Sequence, residues 1–194
     1  MLGWRSFFAS IAKLNPPHNR ALVIMDSMRL ILIMGILSFL FGGKSKAADF
    51  EIAPLTQEQV EFIELKSKEA VSFISKYIGE KESYDANDID KTIELWRANN
   101  SNNKKDENFV IETLGSYFGN VITRDLPVEW FIYEDKQGTD FCVIHKEIFV
   151  YSFPYSAIYK AVVDKRIGAL AEVQGALKAQ IEESRNDPEI MERK

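Results

Sequence analysis

Cysteine is nearly absent from this 194-residue chain. A lone Cys142 excludes an intrachain disulfide framework and any cysteine cage for zinc. Histidine is almost as scarce. His18 and His145 leave too few soft ligands for a catalytic zinc site. No strand-glycine-helix unit occurs, which excludes a Rossmann-type cofactor site, and no internal repeat is visible. Basic charge is in deficit, with 24 Lys and Arg against 29 Asp and Glu, and the pI is near 5.2. That balance argues against a nucleic-acid binder.

What is present divides unevenly. Residues 1–48 carry six basic residues and one acid, a net +5, and the remainder carries 18 basic and 28 acidic residues, a net −10. A basic, apolar front therefore precedes an acidic body, and the two read as physically different pieces. We assign 1–48 as a leader, 49–185 as a single α+β domain and 186–194 as a frayed tail.

Within the leader, Leu30–Phe41 is apolar except for Gly35 and Ser38. Twelve helical residues span ~18 Å against a hydrocarbon core of ~30 Å, and Asp26 and Arg29 obstruct extension upstream. Three readings compete. A start at Met28 makes Leu30–Phe41 the apolar core of an export signal within residues 28–47. Retention of the upstream stretch makes Ala21–Gly42 a charge-interrupted membrane anchor. A start at Met34 gives a cytoplasmic protein. Lys44 and Lys46 directly follow the run and resist translocation, so the cytoplasmic reading leads. Gly42-Gly43-Lys44-Ser45 imitates the end of a P-loop, but the motif's first glycine would fall at Ser38.

In the body, Thr56-Gln57-Glu58-Gln59 is a capping-box pattern, and Val60, Ile63, Ala70, Val71, Ile74, Tyr77 and Ile78 form a helical stripe ended by Gly79. A second helix runs from Ile89 to about Ala98, with the segment Asp85–Asp90 read as its cap. A third, capped by Asp106, presents Val110, Leu114, Tyr117, Phe118 and Val121. Its Gly115 and Gly119, four apart, predict close approach of another element. Strands follow at Val128–Tyr133, Thr139–Ile144 and Glu147–Ser152, with Asp135–Gly138 as the first turn and His145-Lys146 as a second, solvated one. Ser156 then caps a last helix from Ala157 with a kink near Asp164–Gly168. The expected fold is α+β: a three-stranded antiparallel meander packed by about four helices.

Three stretches carry a resemblance: Leu114-Gly115-Ser116-Tyr117-Phe118-Gly119, then Glu129-Trp130 with Asp135 and Gly138-Thr139-Asp140, then Phe153-Pro154 with Ile158-Tyr159-Lys160. Residues 109–182 resemble a small bacterial domain family known as a domain of unknown function, of the 3806 series. The resemblance implies no chemistry, and Ala161 stands where an Arg is expected.

Chemistry must then be read from the residues. Cys142 and His145, three apart on a strand, face opposite sides and cannot form a nucleophile pair. Asp85–Asp90 begins like a calcium loop but places Ile89 and Trp96 at ligand positions. Glu129, Glu134, Asp135 and Asp140 cluster in sequence around the first hairpin; as paired carboxylates they would serve a hydrolase or hold a cation, and as turn and surface residues they point to solvent. No catalytic residue, cofactor or metal ligand is assigned. The leading expectation is a non-enzymatic module that binds a basic protein partner, as an immunity or antitoxin-like protein would. Its candidate partner-binding residues are Trp130, Glu134, Asp135, Asp140 and Tyr155. The alternatives are a carboxylate- or metal-dependent hydrolase and a membrane-tethered structural factor using Leu30–Phe41.

Overall fold

The computed structural model describes residues 50–148, 150–166 and 168–186. The leader, with its start, export and anchor readings, and the tail beyond Asn186 lie outside the described residues. So does Ile167. Among the described residues the order is β1 (Phe50–Pro54), α1 (Gln57–Ile78), α2 (Ala86–Ala98), α3 (Glu107–Asp125), β2 (Glu129–Asp135), β3 (Gly138–His145), β4 (Val150–Ser152), α4 (Pro154–Val163) and α5 (Ala169–Arg185). This is α+β, with one antiparallel sheet in the order β1-β2-β3-β4. No described helix is long and apolar enough to cross a membrane.

Two expected counts are corrected. The sheet has four strands rather than three, because Phe50–Pro54 adds an edge strand ending at a proline, a residue tolerated there because an edge has N–H groups to spare. The described helices number five rather than four. Positive φ at Lys165 (57°) and Gly168 (75°) stops α4 and restarts the chain as α5, where a kink was expected. The last strand is also shorter than Glu147–Ser152, since residues 146–148 turn and pairing starts at His145↔Val150.

The capping chemistry explains where the helices begin. Thr56 Oγ1 accepts from the Gln59 amide and the Gln59 side chain accepts from the Thr56 amide, closing the box that starts α1. Asp85 and Asp88 do the same for α2. Asp106 caps α3 through the Phe109 amide. α4 departs from expectation. Pro154 occupies its first turn, where a fixed φ and missing N–H cost nothing, and Ser156 lies inside the helix rather than capping it.

The described residues form two compact units. The smaller comprises 50–52 and Tyr133–Thr139, and the larger runs over Ala53–Ile132 and from Asp140 onward. In the smaller unit Phe50 and Tyr133 stack with centroids 5.2 Å apart. Asp135 Oδ1 accepts from the Gln137 amide, and Gly138 takes a φ of 127°, which closes the tight turn.

In the larger unit α3 is central, packed by α1 and α4, while α2 lies against α1 and α5, and α5 against β4. α1 buries Ile63, Ala70, Phe73 and Ile74. Val71, expected inward, is exposed, since it sits about 80° round the helix from Ile63, and Phe73 fills the core instead. Along β3 every residue from Asp140 to His145 is buried, so both faces of this strand are covered. His145, expected in a solvated turn, ends β3 on the face of Phe141 and Val143, and its Nδ1 has no hydrogen-bond partner.

Candidate functional site

The site is built on the glycine face of α3. A Cβ at Gly119 would collide with the Trp130 indole, and one at Gly115 with the ring of Tyr155. The glycines therefore open a groove into which β2 and α4 each insert one aromatic. Phe141 of β3 completes the cluster. Its ring meets Trp130 edge-on at 6.2 Å and Tyr155 at 5.3 Å, and Phe62 of α1 stacks on it at 6.3 Å.

Hydrogen bonds fix both inserted rings. Trp130 Nε1–H donates to Asn120 Oδ1 at 2.9 Å, and Asn120 Nδ2 donates to Ser67 Oγ at 2.8 Å. The Tyr155 hydroxyl lies 2.6 Å from Ser116 Oγ. Ser116 already donates to the Glu112 carbonyl, so Tyr155 is the donor of this pair. Burial raises the Tyr155 phenol well above its ordinary pKa. Asp140, expected to point to solvent, is 7% exposed, and its Oδ2 accepts from Ser156 Oγ at 3.0 Å. The placement follows from β3 being covered on both faces.

The candidate residues thus separate. Tyr155 and Asp140 are committed to the interior. Glu134 is exposed and Asp135 half-buried in the hairpin turn, within the smaller unit. Glu129 is exposed and ion-paired with Lys146 at 2.6 Å. Trp130 alone combines anchoring with access. Its half-buried indole forms one wall of a cleft of about 370 Å³, which Leu55, Val60, Ile63, Glu64 and Asn120 also line. That volume lies at the lower end of ligand-sized sites. Leu55 and Val60 occupy the two positions of a hydrophobic staple around Thr56, so the capping of α1 also builds the cleft's rim.

Nucleophilic chemistry finds no support in the thiol. Cys142 is fully buried, and desolvation first, with Asp140 nearby second, pushes its pKa up to about 12. Among the described residues no three His, Cys, Asp or Glu side chains converge as a metal site would require.

Sequence reasoning missed three residues. Glu64 and Asn120 enter the cleft by helical position alone, with no motif to announce them. Asp90, one turn into α2, is buried and accepts from the Leu170 amide at 3.2 Å, capping α5 from a different helix. Burial raises its pKa to about 6, against the lowering effect of the Leu170 and Ala171 amides.

Residues 85–171 match the family model described as Domain of unknown function (DUF3806). The matched segment begins at the N-cap of α2, earlier than the stretches of resemblance indicate, and ends in the first turn of α5. It contains both glycines of α3, Trp130, Tyr155, and the Asp90–Leu170 contact. The α1 wall of the cleft lies outside it. A crystal structure of a protein from Bacteroides thetaiotaomicron VPI-5482, at 1.50 Å, is similar in fold. It aligns with a TM-score of 0.51 at 13% identity, covering 69% of this chain and 49% of that one. This chain thus spans about half the length of that structure. No curated protein matches the sequence.

Proposed function

We propose that this protein is a non-catalytic binding module that docks a basic protein partner, with the Trp130 cleft as its anchor point. The observation carrying this reading is that one aromatic is both locked in place and left partly open. Trp130 is held by Asn120 and by the Gly119 groove, so contact with a partner costs little further ordering. Half-buried tryptophans in apolar clefts are the residues on which binding energy concentrates. The acidic body favours encounter with a basic surface. Glu134 and Asp135, in the hairpin turn of the smaller unit, add to the net negative charge, which sets association rate more than affinity.

The test is differential affinity purification of the full chain from its native cells, with Val60→Asp as the comparison. Val60 lines the cleft in the first turns of α1, where an added carboxylate suits the helix dipole. We expect a protein retained by the wild type to be lost by the variant, while the variant, though it gives up the staple contact, still unfolds in one cooperative thermal transition. An identical set of retained proteins would overturn the reading.

A further inference from the structure

The lining of the Trp130 cleft specifies the side chain it takes, and this step rests on the binding-module reading above. Leu55, Val60 and Ile63 supply hydrocarbon on one side and Trp130 supplies an aromatic surface on the other. An aliphatic occupant such as leucine would satisfy those walls. It would leave the charge of Glu64, an exposed residue that lines the same cleft, without a partner.

Glu64 makes no ion pair or hydrogen bond among the described residues, and Lys68, one turn along α1, does not pair with it. The hydrogen-bonding character of the cleft is one-sided as well. The single N–H of Trp130 is spent on Asn120, and one N–H of Asn120 is spent on Ser67. What remains is the Glu64 carboxylate, the second lone pair of Asn120 Oδ1 and the second N–H of Asn120, so free acceptors outnumber free donors. A site of hydrocarbon walls, an indole and free acceptors suits a side chain with an apolar stem and a donor-only cationic head. Only lysine and arginine have that form.

We propose that the cleft receives a single lysine or arginine side chain from an extended segment of the partner protein. Its methylene stem lies along Leu55, Val60 and Ile63, and its head pairs with Glu64 beside Trp130. The exposed ion pair and the cation–indole contact each contribute modestly, so discrimination over an uncharged isostere of equal length is about fivefold.

The experiment titrates the full chain with three capped pentapeptides, acetyl-Gly-Gly-X-Gly-Gly-amide, where X is arginine, lysine or norleucine. The readout is the Trp130 indole N–H signal in nitrogen-15 correlation spectra. We expect the arginine or lysine peptide to shift that signal at about fivefold lower concentration than norleucine. Glu64→Gln should abolish the difference, and added salt should reduce it. Equal response to norleucine, an unchanged preference in Glu64→Gln, or no response to any peptide would overturn the inference. Failure here and failure of the broader reading are separable. A partner lost by Val60→Asp together with indifference to charge leaves a docking cleft without cation selectivity. A partner set indifferent to Val60→Asp removes the docking reading itself.

Discussion

The two inner helices of the larger unit secure their neighbours by opposite means. α3 uses absence: Gly115 and Gly119 lack a Cβ, and Tyr155 and Trp130 fill the space with rings whose polar tips bond to neutral groups. α2 uses charge. Asp90 accepts from the first amides of α5, at the positive end of that helix, and the Arg97 guanidinium donates to the Ala161 and Val162 carbonyls at the negative end of α4. One helix thus holds both sides of the α4–α5 break with charges of matching sign. Dispersion and shape dominate on α3. On α2 the balance between desolvation and helix-end electrostatics decides, and only that balance depends on pH.

The largest expected effect breaks the α3 side. Gly119→Ala places a Cβ inside the Trp130 indole, which Phe141 and Tyr155 brace from behind, so the ring can yield only towards the cleft and gives up its seat. The gain in helix propensity offsets little of that collision. Urea unfolding should show a loss of about 3 kcal/mol. A loss under ~1 kcal/mol would mean the groove is soft.

The next effect belongs to Asp90 and its sign follows from linkage. Its folded pKa, about 6, lies above the ordinary aspartate value of 3.8, so between those values the native state binds more protons than the unfolded state. The associated stability is fully present below about pH 4 and is lost as pH rises through about 6. Between pH 4.5 and 7 the wild type should lose about 2 kcal/mol relative to Asp90→Asn, which keeps an acceptor for the Leu170 amide without titrating. Parallel stability curves for the two proteins would refute this account of the α2 side.

The same contrast explains what could be read from the residues. Gly115 and Gly119 announce a close approach because a pair of glycines inside a helix has few other uses, and the structure supplies Tyr155 and Trp130 as the occupants. Thr56–Gln59 and Asp135–Gly138 were legible for a similar reason, since each encodes a local hydrogen bond between near neighbours. Asp90 and Arg97 were not. Their partners are 80 and 64 residues away, and nothing local separates them from the other charged residues of an amphipathic helix. Asp140 was misplaced because period-two alternation assumes one open face, whereas β3 is covered on both, and His145 because the turn was read one residue early: the strand runs through His145 and the turn occupies 146–148. The edge strand Phe50–Pro54 escaped because five residues ending in proline carry almost no periodicity of their own. The cleft was half visible. Trp130 stood out as an anchor, but Glu64 and Asn120 join it only through tertiary packing.

Arg97 offers a smaller perturbation of the α2 side. Arg97→Met keeps much of the aliphatic stem but removes both donors from the end of α4, leaving the Ala161 and Val162 carbonyls without them. A loss of about 1.5 kcal/mol should appear in thermal melts, and Arg97→Lys should recover only part of it, since both bonds come from the terminal Nη2 and the shorter lysine side chain reaches less far.

The smallest expected effect sharpens the meaning of the glycine groove by removing a glycine that has none. Gly175 lies inside α5 with nothing within 4 Å of the position a Cβ would take. Alanine there meets no ring and loses less conformational freedom on folding than glycine does. Gly175→Ala should therefore stabilise the protein by about 0.7 kcal/mol, read as a raised urea midpoint with an unchanged slope. The same substitution thus carries opposite signs at Gly119 and Gly175, and the difference isolates the ring collision from the backbone term common to both. If both variants lose stability by similar amounts, helix packing in general, rather than the seating of Trp130, sets the demand for glycine in this chain.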